Sequence, residues 1–184
     1  MRYVALLRGI NVGPSKRIPM ADLKRLFEEL RFARVSTFLQ SGNVLFDADR
    51  PEDSLLPELE RAIADRFGFA VPVLLRTAEE FRQAVASCPF PPEEIAAAES
   101  AAEGDSYYVA FLRTPPTPTD LARLASAAAV DGDRFQAGNR ELHLLFRHTF
   151  RTSKLAAQLD RLSSPATTRN GSSAARIAAL FDDA

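Results

Sequence analysis

The chain is poor in the residues from which most catalytic and metal centres are read. Its 184 residues include one cysteine, two histidines, three lysines and no tryptophan. A single cysteine, Cys88, excludes a disulfide within the chain and leaves no basis for a cysteine-built zinc site. In Cys88-Pro89-Phe90-Pro91-Pro92 it reads as a small buried residue, with no histidine nearby in sequence to activate its thiol. With histidine only at His143 and His148, no Ser-His-Asp or Cys-His arrangement is legible, and the carboxylates show no metal-ligand spacing. No cofactor fingerprint is present. No apolar run approaches the ~18 residues of a membrane helix, and the N-terminus reads as a strand rather than as a targeting segment. The expected location is the cytoplasm, with no membrane partner. Charge of neither sign is in excess: 23 Lys and Arg against 24 Asp and Glu give a net charge of −1. That excludes a global pull toward nucleic acid but not a local basic patch. The 46% hydrophobic and 26% charged content is that of a globular chain able to bury a real core.

What is present is a clear order of elements. Tyr3 to Leu7 reads as a strand, followed by a loop bearing Gly9 and Gly13. Pro19 then opens a helix, where its missing N–H is harmless, and Leu23, Leu26, Phe27 and Leu30 share one face. Val35 to Leu39 and Val44 to Asp47 flank Ser41-Gly42 as a hairpin. Pro51 opens a second helix with Leu56, Leu59, Ile63 and Phe67 on its stripe. Val71 to Leu75 reads as a strand, which Pro72 consigns to a sheet edge. The order β-α-β-β-α-β predicts a ferredoxin-like sheet in strand order 4-1-3-2. That order places the first loop and the hairpin at the same end of the sheet. Thr77 and Glu80 make a capping box for a third helix, and Glu93 to Gly104 reads as a surface helix or linker.

The second half echoes the first. Leu112-Arg113 repeats Leu7-Arg8, Asp120-Leu-Ala-Arg-Leu124 repeats Asp22-Leu-Lys-Arg-Leu26, and Phe135-Gln-Ala-Gly-Asn139 repeats the hairpin of Phe38 to Asn43. The expected fold class is therefore α+β, with two ferredoxin-like (split β-α-β) units in tandem, the second incomplete, and a C-terminal helical segment. The expected boundaries are 1–77 for the first unit, 78–105 for a connecting helix and linker, 106–150 for the second unit, and 151–184 for C-terminal helices packing on the units. Within the last segment, helices are expected over Ser153 to Leu162 and Ser173 to Phe181, with a polar loop from Ser163 to Gly171 between them.

Three groups of polar residues form the site expectation. Gly9 and Gly13 around Asn11 can bring backbone N–H groups to an anion, with Arg8 and Lys16 supplying charge. Gln40, Ser41 and Asn43 add uncharged hydrogen bonds at the same end, although a hairpin wants Gly and Asn for its own sake. Lys154, Arg169 and Asn170, with Thr168, form a C-terminal polar group in which Arg169 can fold back as a closing residue. In the second half the loop Thr114-Pro-Pro-Thr-Pro-Thr119 has lost three N–H donors to proline and reads as scaffold. His143 alternates away from Leu142 and Leu144 and reads as solvated. These residues favour binding of a small anionic ligand, such as a nucleotide or a carboxylated metabolite, with any chemistry resting on positioning and charge. One alternative is RNA or single-stranded nucleic-acid binding through sheet aromatics such as Tyr3, Phe46, Tyr107 and Tyr108. Another is a non-catalytic protein-interaction module. Oligomeric state is not legible.

Arg8-Gly-Ile-Asn-Val-Gly13, Ile18-Pro-Met20, Gln40-Ser-Gly-Asn43, Ser153-Lys-Leu155 and Thr168-Arg-Asn170 resemble the bacterial domain-of-unknown-function 1697 family, in the expected order along nearly the whole chain. The resemblance implies ferredoxin-like units with a helical C-terminal part and brings no activity with it. Where the family pattern continues Trp-Asn-Thr after Thr-Arg-Asn, this chain has Gly171-Ser-Ser-Ala174. A lost aromatic there implies either an altered ligand site or a packing gap refilled elsewhere.

Overall fold

A computed structural model describes residues 1–102 and 104–182. The described residues divide into two compact units, Met1–Phe81 and those from Arg82 to Asp182.

The first unit runs β1 (Arg2–Leu7), α1 (Met20–Glu29), β2 (Ala33–Phe38), β3 (Asn43–Asp47), α2 (Glu52–Phe67) and β4 (Val73–Thr77). Its sheet is antiparallel in the order β2-β3-β1-β4. Proline sets both helix starts. Pro19 and Pro51 are the N-cap residues of α1 and α2, each extended, so each helix begins one residue later than the sequence suggested. Leu23, Leu26 and Phe27 are the buried face of α1, as their spacing required. In α2 the buried stripe is Leu55, Leu59 and Ile63, while Leu56 and Phe67 pack only at its margin. Strand β4 lies at the edge, but Pro72 precedes it; the Pro72 carbonyl accepts the Arg8 N–H at 3.0 Å. Thr77 ends β4 and caps the next helix, α3 (Ala78–Ala86). The Thr77 N–H donates to Glu80 Oε2 at 2.9 Å and the Glu80 N–H to Thr77 Oγ1 at 3.2 Å, the reciprocal pair of a capping box.

The second unit adds α4 (Pro92–Ala102), β5 (Tyr107–Leu112), α5 (Pro118–Asp131), β6 (Arg134–Ala137), β7 (Glu141–Leu145), α6 (Lys154–Gln158), β8 (Ala166–Asn170) and α7 (Gly171–Ala179). Its sheet also has four antiparallel strands, in the order β6-β7-β5-β8. Two expectations are corrected here. The second unit is complete rather than incomplete, and the segment read as a polar loop from Ser163 to Gly171 contains its fourth strand. β8 pairs with β5 over Val109↔Arg169 and Leu112↔Ala166. Ala-Thr-Thr-Arg-Asn carries no apolar alternation, so only the pairing with β5 identifies it as a strand.

The two units repeat each other down to single hydrogen bonds. The Leu7 N–H donates to Gly42 O at 2.9 Å and the Leu112 N–H to Arg140 O at 2.8 Å. The Arg8 N–H meets Pro72 O at 3.0 Å, and the Arg113 N–H meets Pro165 O at 3.1 Å. On the edge strands, Arg76 stands opposite Val4 and Arg169 opposite Val109; both are buried, and each donates Nη1 to the preceding residue's carbonyl at 2.7 Å. The helix-covered face of the first sheet holds Tyr3, Ala5, Leu7, Val44, Phe46, Val73 and Leu75 in one core. Val4, Leu6, Leu45 and Leu74, on the opposite face, are also fully buried. Among the described residues no helix is long and apolar enough to cross a membrane.

Candidate functional site

Arg8 to Ile18 form a loop across one end of the first sheet, and its backbone has an unusual pattern. Gly9, Asn11 and Gly13 have φ of 66°, 57° and 72°, while Ile10 and Val12 between them do not lie in the left-handed region. Alternating hand along five residues is the backbone pattern that can turn successive N–H groups toward one side. The Asn11 N–H is used by Lys16 O at 3.1 Å. The N–H groups of Gly9, Ile10, Val12 and Gly13 donate to no atom of the described residues. A Cβ at Gly9 or Gly13 would meet nothing within 4 Å, so space over the loop is open and glycine is required there by conformation alone. The loop leads to the N-terminus of α1, which has no side-chain cap.

The loop and the hairpin do meet, as the topology demanded. Asn11 is the link. Its Nδ2 donates to Gln40 O at 2.8 Å and to Ile18 O at 3.0 Å, and its Oδ1 accepts the Ile18 N–H at 2.9 Å. Asn is among the few L-residues that tolerate a positive φ. Asn11 is thus a staple between loop and hairpin, with both donors of its amide used. Asn43 has the same fate: wholly buried, it donates Nδ2 to Phe38 O at 2.7 Å and to Ser41 Oγ at 3.1 Å, closing its own hairpin. Gly42 is fixed twice over. Its φ is 79°, and a Cβ would lie 2.7 Å from Ile10 Cδ1 and 2.9 Å from Leu7 Cβ. Lys16 is exposed and donates Nζ to Ala70 O at 3.2 Å, Gln40 is exposed, and Arg8 and Ser41 are half-buried. Leu39 also carries a positive φ, 58°.

The C-terminal group is not one cluster. Lys154 begins α6, where its N–H donates to Asp131 Oδ2 at 2.7 Å, and Ser153 beside it caps that helix. Asn170 caps α7 through Oδ1, which accepts the Ser173 N–H at 2.8 Å, while its Nδ2 donates to Asp105 at 2.7 Å. Arg169 is a buried strand residue that donates to Thr167 Oγ1 at 3.0 Å, and burial pushes its pKa down to about 10. The prolines of the second unit's loop sit beside a scaffold function: Thr117 caps α5 in a box with Asp120.

His143 is buried rather than solvated, because both faces of β7 are covered. Its Nδ1 pairs with the Tyr107 hydroxyl at 2.8 Å and its Nε2 with Ser87 Oγ at 3.3 Å. Burial holds the imidazole below its usual pKa, against the opposing pull of Glu141. Burial, and then the Cys88 thiol, push the Tyr107 hydroxyl upward. Cys88 is half-buried rather than buried. Ser87, Cys88, Tyr107 and His143 therefore form a polar cluster that sequence spacing could not reveal, since its members are up to 56 residues apart. The Tyr107 ring also lies against Gly171, in the volume that any side chain at 171 would enter. Among the aromatics considered for base stacking, Tyr3 and Phe46 belong to the first unit's core and Tyr107 is buried. Tyr108 packs on Phe146 and Phe150. Among the described residues no group of three His, Cys, Asp or Glu is placed to hold a metal ion.

The chain is a mixed helix and strand protein with two four-stranded antiparallel sheets. Residues 1–143 match the family described as "Protein of unknown function (DUF1697)", and the chain belongs to that family. The fold is similar to a solved structure of the conserved bacterial protein SP0830 from Streptococcus pneumoniae, with a TM-score of 0.71 and 20% identity over 98% of each chain. Among the curated proteins compared with it, none matches.

Proposed function

We propose that the protein is a cytoplasmic binder of a small anionic ligand, held by the Arg8–Gly13 loop, and that each of its units is ferredoxin-like. One observation carries the binding reading: alternating backbone hand at Gly9, Asn11 and Gly13, with four N–H groups that no described residue accepts. Arg8 and Lys16 supply charge of the right sign, and the uncapped α1 N-terminus adds to it. Gln40 and Ser41 face the ligand from the hairpin. Asn11 and Asn43 act indirectly, by holding loop and hairpin in register. Nucleotides and carboxylated metabolites share the chemistry this loop would recognise.

The test is a thermal-shift panel of nucleotides, phosphosugars and carboxylated metabolites on wild type, Arg8→Ala and Gly13→Ala. A Cβ at position 13 meets no neighbour, so Gly13→Ala causes no clash, but at a φ of 72° it disfavours the loop's backbone conformation and so tests the alternating hand itself. The expected result is a ligand that raises the wild-type midpoint and leaves both variants unshifted. A panel with no shift in wild type, or an equal shift in all three proteins, overturns the reading.

A further inference from the structure

The second unit brings an exposed serine hydroxyl onto a buried imidazole. Ser87 stands just past the end of α3, with its Oγ 3.3 Å from Nε2 of His143. The other ring nitrogen, Nδ1, lies 2.8 Å from the Tyr107 hydroxyl. The paired strands β5 and β7 carry the two rings, which are parallel to within 2° with centroids 6.2 Å apart. A nucleophile within reach of a base, and a base held from behind by a third group, is the arrangement that activates a serine.

The hydrogen bonds beyond Tyr107 decide which nitrogen is bare. The Cys88 thiol donates to Phe90 O at 3.6 Å, so its sulfur takes the acceptor's part toward the Tyr107 hydroxyl. With its own hydrogen spent on sulfur, Tyr107 Oη accepts from the Nδ1–H of His143. Nε2 then carries no hydrogen, and the Ser87 hydroxyl is its one donor among the described residues. That hydroxyl also reaches Ala84 O at 3.0 Å, and rotation about its Cβ–Oγ bond carries the hydrogen between the two acceptors. Burial keeps the imidazole neutral at pH 7, the form that takes up a proton. The N–H of Cys88, next after the nucleophile, donates to no atom of the described residues. One such donor suits the single oxyanion of an acyl group. The C-terminal dipole of α3 opposes that charge, which makes the site slow and a covalent readout the right one.

We propose that Ser87 and His143 form an acyl-accepting pair for small activated carboxylic esters, with Tyr107 as a positioning residue. Ser87 Oγ attacks the ester carbonyl as its proton passes to Nε2. The tetrahedral oxyanion collapses, the C–O bond to the leaving group breaks, and His143 returns the proton to the departing oxygen. Water then releases the acid from Ser87 by the same two steps. The proposal is independent of the first unit's loop. Diisopropyl fluorophosphate is the probe on the full chain, because its phosphorus takes the same attack, loses fluoride and stays on Oγ. Intact mass gives the rate and peptide mapping the position. An adduct on Ser87 is expected and none on Ser126, an exposed serine that also donates to a helix carbonyl at 3.0 Å but touches no imidazole. With p-nitrophenyl acetate, wild type should release nitrophenolate in a burst that Ser87→Ala lacks. His143→Gln should slow the labelling at least about a hundredfold. Tyr107→Phe should slow it at least about tenfold, the worth of one hydrogen bond to the charged ring. It should also lower the pH midpoint of the labelling rate, which a merely structural tyrosine would leave in place. Glu141, the charged group acting on the ring, and Cys88 are the same in both proteins. Circular dichroism establishes that each variant is folded, and Tyr107→Phe carries the test if His143→Gln is not. An unlabelled wild type overturns the proposal. So does an adduct only at another residue, a burst undiminished in Ser87→Ala, or wild-type rates in Tyr107→Phe.

Discussion

Replacing Asn11 separates two things that one residue does at the candidate site. Its side chain makes three hydrogen bonds, two to carbonyls and one from the Ile18 N–H, and its backbone sits at a φ of 57°. Ile18 is buried, so its N–H loses its partner without gaining water. Taking a net ~1 kcal/mol per bond, discounted because Asn11 itself is half-exposed, Asn11→Gly should cost about 2 kcal/mol. Asn11→Ala loses the same bonds and must also place a Cβ in the left-handed region, which adds ~1 kcal/mol. Asn11→Asp keeps the acceptor for Ile18 but turns a carboxylate toward two carbonyl oxygens. It should be the least stable of the three near pH 7 and recover below about pH 4, once protonated. The assay is urea unfolding of the full chain, with amide hydrogen exchange at Ile18 as the local readout. The order expected at pH 7 is wild type, Gly, Ala, Asp. The staple is refuted by an Asn11→Gly protein within about 0.5 kcal/mol of wild type and with undiminished protection at Ile18.

Three further perturbations test the surrounding structure. Gly42→Ala combines a left-handed φ with contacts of 2.7 Å to Ile10 and 2.9 Å to Leu7, and should destabilise the chain by about 2 kcal/mol or more in urea unfolding. Asp120 is buried, which raises its pKa, but hydrogen bonds from Ser163 and Thr117 outweigh this and bring it down to about 2 from 3.8. A lowered carboxylate pKa stabilises the fold above pH 3.8 and ceases to do so as pH falls through about 2, a contribution of about 2 kcal/mol. Unfolding free energies measured from pH 6 down to pH 2 should show that loss in wild type and a flatter profile in Asp120→Asn. His143 has the opposite chemistry with the same outward sign. Its folded pKa is depressed below 6.5, so the unfolded chain takes up the proton first and stability declines as pH drops below about 6.5. His143→Gln should remove that slope between pH 7 and pH 5, whatever its effect at pH 7.

Local chemistry is legible in the chain. Pro19 and Pro51 mark helix starts because a residue without an N–H is tolerated only there. Thr77 and Glu80 cap α3 because their side chains reach each other's N–H three residues apart. The meeting of the Arg8 loop with the Gln40 hairpin follows from the order of strand and crossover. Other features depend on partners far away in sequence. β8 carries no strand pattern of its own, and its identity as the fourth strand comes from pairing with β5. The hydrogen bonds of Asn11 and Asn43 were not legible because their acceptors, Gln40 and Ile18 for one and Phe38 for the other, are backbone carbonyls that folding brings to them. His143 looked solvated because alternation along β7 gives it a face without saying whether that face is covered. Periodicity determines which residues share a side; only tertiary packing decides which sides meet water, and therefore which polar groups remain open to a ligand.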